Sequence, residues 1–241
     1  MVQYTNERAR LLTALGEVTS GGTIEAIAHI GSTSVPGLAT SGCVDIAISV
    51  VPFPLAEQTL AALHELGYSP TATVDDATSQ HFTHLSGETQ LWVREAGDMR
   101  WLDPILLRDW LLADEDARQR LQQRRATFTS DPVAWQSAKA QLFQEFVPQA
   151  HQWWIAERGF APLHAITAEL AGLVAPWYIS SGWALDLFLG RVTRVHHDVD
   201  VVLDREDQLL LQGYLSERGW KFVTPYNHRL EPWPLHMRIA L

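Results

Sequence analysis

The 241-residue chain holds a single cysteine, Cys43, which excludes an intramolecular disulfide and any multi-cysteine zinc or iron–sulfur site. No stretch approaches the roughly 18 consecutive apolar residues of a membrane-spanning helix, so no membrane partner is expected. The start, Met1-Val2-Gln3-Tyr4-Thr5-Asn6-Glu7-Arg8, has no apolar signal core and no lipidation motif, and a cytoplasmic location is the expectation. Positive charge is also scarce. The first 99 residues carry three basic side chains, Arg8, Arg10 and Arg94, and the formal net charge is −10. Neutralising a phosphate backbone takes clustered Lys and Arg, so a long nucleic acid is not expected as a partner. Small anions held by a metal ion or by local arginines remain open.

What is present is an ordinary globular composition, 46% hydrophobic and 19% charged. The pattern predicts a helix over 6–17, then a strand over 24–30, where apolar residues alternate. Gly31-Ser32-Thr33-Ser34-Val35-Pro36-Gly37 is turn chemistry, and 44–51 reads as a second strand. A helix is expected from Pro54 to Leu66, with Gly67 just past its end. Further strands are expected at about 80–85 and 89–95. Residues 102–157 read as helical, broken near 129–132, where Ser130 or Asp131 suits a helix cap. Arg158-Gly159-Phe160-Ala161-Pro162 reads as a boundary, giving domains 1–158 and 159–241. The second part predicts a helix over 163–174, a strand over 177–180, a Ser181-Gly182 turn, a helix over 183–189, a strand over 196–203 and a helix over 205–218. Both parts run helix, strand, small-residue turn and aspartate-bearing strand, a mixed α/β (α+β) class.

Asp198 and Asp200 are two apart on a predicted strand, which points both carboxylates to one face. Two such carboxylates repel when ionised, and a divalent cation relieves the repulsion. Mg²⁺ is held in nucleotide sites by one or two carboxylates together with substrate phosphates. The Ser181-Gly182 turn offers backbone N–H groups, a hydroxyl and a helix N-terminus to phosphate oxygens, and Arg191 and Arg194 lie between the two elements. Asp-x-Asp pairs are also common on solvated strand faces. Arg118, Arg120, Arg124 and Arg125 read as a solvated, salt-bridged helix face beside Asp114, Glu115 and Asp116.

The run from Ser181-Gly182-Trp183-Ala184-Leu185-Asp186 through Arg194-Val195-His196-His197-Asp198-Val199-Asp200 resembles the aminoglycoside and lincosamide nucleotidyltransferases. Their signature is Gly-Gly-Trp-Ala-Leu-Asp followed by Arg-x-His-x-Asp-h-Asp, where h is apolar. The resemblance implies a polymerase-β-like fold and transfer of a nucleoside monophosphate, expected from ATP, to a small hydroxylated acceptor. It implies Mg²⁺ on Asp198 and Asp200, the triphosphate at Ser181 and Gly182, and phosphate neutralisation by Arg194. Asp186 and His197 are lesser carry-overs. Ser181 replaces the first family glycine. The domain is expected to be shortened, because a third carboxylate strand usually follows, and after Asp207 the acids are Glu217 and Glu231, the latter in a turn-like context.

His29-Ile30-Gly31-Ser32-Thr33-Ser34-Val35-Pro36-Gly37-Leu38 with Asp45-Ile46, and further on Leu107-Arg108-Asp109-Trp110-Leu111 and Asp131-Pro132 through Lys139, resemble the GrpB family over about residues 4–155. This implies a second nucleotidyltransferase-like domain, each domain being a small mixed sheet flanked by helices. His29, Gly31, Ser32, Thr33, Ser34 and Asp45 are its candidate polar pocket. The same-face neighbours of Asp45 are Cys43 and Ala47, Ser41-Gly42 replaces a family Lys-Pro pair, and Gln90 and Trp92 stand where histidines are usual. The pocket is therefore expected to have one carboxylate and no lysine. The chain reads as an Mg²⁺-dependent nucleotidyltransferase working through its second domain. The alternative is a non-catalytic protein of the GrpB family that binds a nucleotide or another small ligand. The residues do not specify an oligomeric state.

Overall fold

The computed structural model describes residues 2–16, 23–51, 53–71, 78–127, 132–220, 223–226 and 229–232. The chain divides into two compact units, Met1–Trp153 and Trp154–Leu241.

In the first unit, helix α1 (Val2–Gly16) precedes strands β1 (Thr23–Ile30) and β2 (Val44–Val51). Helix α2 (Glu57–Glu65) then leads to β3 (Tyr68–Pro70), β4 (Ser79–His84) and β5 (Thr89–Glu95). The five strands form one mixed sheet in the order β1-β2-β5-β4-β3, in which the β2–β5 pair alone is parallel. Val44 to Val50 are all buried, as expected of a central strand covered on both faces. On one face Val44, Ile46, Ile48, Val50, Leu91 and Val93 pack with Leu11 and Leu15 of α1 and Leu63 of α2. On the other, Ile30 and Ala47 pack against Trp101, Leu102 and Ile105.

Helix α2 starts three residues after Pro54, and Gly67 (φ 93) stops it. A Cβ on Gly67 would lie 2.9 Å from His84 Nε2, so the step into β3 needs a glycine twice over. Short β3 was not predicted, because three residues carry no readable period.

The predicted long helical stretch is three helices: α3 (Leu102–Ala113), α4 (Glu115–Ala126) and α5 (Pro132–Arg158). Asp114 makes the first break. Its backbone is extended (φ −119, ψ 107) and its side chain caps α4 by accepting from Ala117 N–H at 2.9 Å. Neither Gly nor Pro marks this cap. The expected break at 129–131 lies outside the described residues, and α5 opens on Pro132, the favoured first helical position. Helix α4 is more than a solvated face. Gln122 Nε2 donates to Gly37 O at 2.6 Å, and Arg125 donates to Ala39 O. Arg124 pairs with Glu145 at 2.9 Å, and Arg120 lies 5.5 Å over the Trp110 ring.

Helix α1 is pinned by a buried polar contact. Tyr68 O–H donates to Glu7 Oε1 at 2.7 Å, and Arg10 Nη1 donates to Glu7 Oε2 at 2.7 Å. Burial, and then the Glu7 carboxylate, push the Tyr68 phenol well above its ordinary pKa. Tyr68→Phe leaves a buried carboxylate oxygen without its donor. We expect urea unfolding to show a loss of about 1–3 kcal/mol.

The second unit contains α6 (Ala161–Glu169), β6 (Trp177–Ile179), α7 (Ser181–Leu189), β7 (Val201–Leu203), α8 (Gln208–Ser216), β8 (Val223–Tyr226) and β9 (Arg229–Pro232). Its described strands form two antiparallel pairs, β6–β7 and β8–β9, rather than one mixed sheet. Leu170, Leu173, Ala175 and Leu215 form its core with Trp177 and Val201. Glu231, expected in a turn, lies on β9 opposite Thr224. Prolines at 225 and 232 obscured that hairpin, since proline argues against an interior strand. Among the described residues no helix is long and apolar enough to cross a membrane.

Candidate functional site

Strand β6 passes through Ser180 into α7, whose first residue, Ser181, has φ 54. This left-handed conformation costs an L-residue roughly 1–2 kcal/mol, and glycine adopts it freely. Ser181 is exposed, so Ser181→Gly removes no packing. After the entropy glycine loses on folding, we expect a gain of up to about 1 kcal/mol, read as a higher Tm. Ser181→Val, β-branched at positive φ, is expected to lower Tm.

Gly182 follows for a different reason. A Cβ there would stand 2.7 Å from Arg194 Nη2, 2.7 Å from His196 Cε1 and 2.9 Å from His196 Nδ1. The guanidinium and the imidazole both lie against the first turn of α7, and only a bare backbone admits them.

The chain from Gly190 to Asp200 is held by side chains of α7. Gly190 (φ 66) ends the helix, and Arg191 N–H returns to Asp186 O at 3.2 Å. Asp186 is 1% exposed. Its Oδ1 accepts from Thr193 Oγ1 at 2.6 Å, and its Oδ2 accepts from Thr193 N–H at 3.1 Å and His196 Nε2 at 2.7 Å. Burial alone would raise the Asp186 carboxyl, but the hydrogen bonds from Thr193 and His196 outweigh it and hold the pKa below its ordinary value. The buried His196 ring stacks on Trp183 with centroids 4.2 Å apart, and Trp183 Nε1 donates to Asp198 O at 2.7 Å. Ser180 N–H donates to Asp200 O at 2.9 Å.

Asp198 and Asp200 are both exposed, and they precede strand β7 rather than lie within it. The predicted strand over 196–203 is shortened because its partner β6 ends at Ile179, where the chain turns into α7 and leaves residues 196–199 no ladder to join. The placement of these residues therefore comes from Trp183, Asp186 and Ser180. Ser181, Gly182 and Arg194 are brought together. Arg191 is not among them, since it follows the far end of α7, about 13 Å of helix away. His197 is exposed, whereas its neighbour His196 is buried and bonded. Sequence reasoning passed over His196, although the signature itself places a histidine two residues before the first aspartate. Asp186 serves as an anchor for this segment.

In the first unit, Gly31 (φ 69) opens a 3-10 turn over Ser32–Ser34, closed by Ser34 Oγ donating to Gly31 O at 2.6 Å. His29 Nε2 shares a 2.9 Å hydrogen bond with Thr33 Oγ1 and its ring stacks on Tyr4 at 4.5 Å. Arg108 Nη1 donates to His29 O at 2.8 Å, and burial lowers the His29 pKa. Register places Ile30 opposite Asp45 and His29 opposite Ile46, so His29 and Asp45 lie on opposite faces of the sheet. Asp45 is buried, and its Oδ1 accepts from Trp92 Nε1 at 3.2 Å. The expectation of no lysine is corrected: Lys139 Nζ of α5 stands 3.9 Å from Asp45 Oδ1. Ninety-four residues separate the pair, and no local spacing reveals it.

Among the described residues, no group of three or more His, Cys, Asp or Glu side chains is placed to hold a metal ion. A cation at Asp198 and Asp200 would have two hard carboxylate donors and take its other ligands from a substrate and water, a donor set that suits Mg²⁺.

A mixed α/β sheet with a glycine–serine turn beside a buried aspartate defines the first unit, and comparison with known proteins gives its family. Residues 1–149 match the GrpB protein family, and the chain belongs to it. Residues 162–231 match aminoglycoside-2''-adenylyltransferase, and this part of the chain is similar to part of such a domain. UPF0157 protein SCO7215 of Streptomyces coelicolor is 35% identical over 115 residues, 48% of this chain and 58% of that protein. The 2''-aminoglycoside nucleotidyltransferase of Escherichia coli is 32% identical over 66 residues, 27% of this chain and 37% of that enzyme. The chain thus spans less than two thirds of either relative. The crystal structure of conserved protein GrpB from Enterococcus faecalis matches with a TM-score of 0.48 and 17% identity, covering 61% of this chain and 90% of that one.

Proposed function

We propose that the second unit binds a nucleoside triphosphate with Mg²⁺ and transfers its nucleoside monophosphate to a hydroxyl group of a small acceptor. ATP is the expected triphosphate, as the relative's description as an adenylyltransferase suggests. The observation that carries this reading is the Arg194 guanidinium lying against the Gly182 backbone at the start of α7. Backbone N–H groups at a helix start, together with a guanidinium, suit phosphate oxygens.

Phosphoryl-type transfer depends on positioning and charge neutralisation more than on covalent help. Asp198 and Asp200 are the residues that would hold Mg²⁺, which when bound neutralises the phosphate charge and orients the attacking and leaving oxygens. Arg194 takes a phosphate oxygen. Gly182, with no side chain, lets the Arg194 guanidinium lie against the start of α7.

The test is pyrophosphate release from each nucleoside triphosphate with hydroxylated acceptors, paired with thermal melting. A triphosphate at about a hundred times its Kd stabilises its site by roughly 2.7 kcal/mol. In Asp198→Asn/Asp200→Asn we expect that Mg²⁺-dependent gain to vanish and turnover to fall about a thousandfold or more. No Mg²⁺-dependent gain with any triphosphate, and no pyrophosphate, would refute the reading.

A second, non-catalytic reading applies to the first unit. The carboxylate of its candidate pocket, Asp45, is bonded to Trp92 and paired with Lys139, which favours ligand binding without turnover.

A further inference from the structure

Asp45 is a buried carboxylate on β2 with a cation beside it. One oxygen, Oδ1, accepts from Trp92 Nε1 at 3.2 Å and faces the Lys139 ammonium at 3.9 Å. The other, Oδ2, lies against the Gly31 backbone, so close that a Cβ there would approach it to 2.3 Å. Its same-face neighbour on β2 is Ala47, and its partner across the parallel ladder is Gln90, neither of them an acid.

Lys139 is one of two lysines in the chain. Its ammonium also sits 5.9 Å over the Trp92 ring, which is fixed by stacking on His81 at 3.9 Å. At 3.9 Å the pairing with Asp45 is Coulombic and too long for a hydrogen bond. Among the described residues Lys139 donates no hydrogen bond, so the three N–H donors of the ammonium are unspent. Its side chain is 48% exposed, whereas that of Asp45 is 9% exposed. The cation is anchored from below and open above. Against the same carboxylate runs the Gly31–Ser34 turn, in which the Ser32 hydroxyl makes no hydrogen bond among the described residues. An anchored ammonium with free donors and a small-residue turn suits a compact tetrahedral oxyanion.

We propose that the first unit binds a phosphate-bearing small molecule without a divalent cation, the Lys139 ammonium standing in for the metal beside Asp45. The site involves residues of the first unit alone. Lys139 keeps its place over the Trp92 ring, and Asp45 is not a metal ligand.

Isothermal titration of the full chain in EDTA, at physiological ionic strength, tests this with inorganic tripolyphosphate and with ATP as probes. The expected result is binding that survives EDTA, is weakened tenfold or more in Lys139→Met, and is unchanged in Asp198→Asn. Lys139→Arg, which keeps the cation, should stay within about threefold and shows that the Met variant fails through charge rather than folding. Asp45→Asn gives the sharpest contrast. The amide keeps an oxygen for Trp92 and removes a negative charge, so affinity for the anion holds or rises, whereas a site working through a metal on Asp45 would lose it. Equal affinity for the two probes identifies the phosphate chain as the recognised part, and tighter ATP binding adds the nucleoside. Absence of EDTA-resistant binding, its persistence in Lys139→Met, or its loss in Asp45→Asn overturns the proposal. Failure of the second unit's activity would instead appear as a missing Mg²⁺-dependent response that Asp198→Asn does not alter.

Discussion

Asp186→Ala is expected to destabilise the second unit by about 3–5 kcal/mol, the range for removing one partner of a buried, hydrogen-bonded charge. The carboxylate and the His196 ring are 2% and 3% exposed. Alanine leaves His196 Nε2, Thr193 N–H and Thr193 Oγ1 without their acceptor. Asp186→Asn keeps an acceptor for Thr193, so its effect is expected to be roughly half as large. The pH dependence has a definite sign. The folded-state pKa of Asp186 is depressed, so its contribution is complete above the ordinary carboxylate pKa and is lost as the pH falls through the lower folded value. Urea unfolding at neutral pH and in strong acid checks both statements: the difference between wild type and Asp186→Ala should shrink in acid.

Gly182→Ala is expected to damage both the stability and the nucleotide response of the second unit. The Arg194 guanidinium, at 2.7 Å from the new Cβ, can swing away because it is the end of a long side chain. The His196 ring at 2.7–2.9 Å cannot, since it is buried between Trp183 and Asp186. Overpacking of this kind costs about 1–3 kcal/mol. It also drives Arg194 off the start of α7. We therefore expect a lower Tm together with loss of the Mg²⁺–triphosphate response. Arg194→Ala should lose the response and keep the Tm. Measuring both variants by melting, with and without nucleotide, separates steric damage from loss of the charge.

The parts of the architecture that were legible in the sequence have a local signature. Strand β2 follows the apolar run it was read from, and the Gly31–Ser34 turn and the start of α7 sit where small residues cluster. The parts that were not legible depend on distant partners or on the absence of one. Residues 196–200 have the composition of a strand, but β6 is too short to pair with them. Asp114 breaks a run of helix formers through a side-chain cap. His196 and His197 differ in role because only one meets Asp186, and Lys139 reaches Asp45 across ninety-four residues of chain.

The order β1-β2-β5-β4-β3 has a consequence for how the first unit assembles. β4 and β5 are joined by four residues, whereas the parallel seam between β2 and β5 closes a loop from Pro52 to Glu88. Hairpins form early, and pairing distant in sequence waits for its loop to be closed. Asp45 and Trp92 lie on opposite sides of that seam, and Lys139 comes later still in the chain. A partly folded or nascent first unit therefore presents none of the anion site. Ligand capture there reports a finished domain, which makes it a natural probe of refolding.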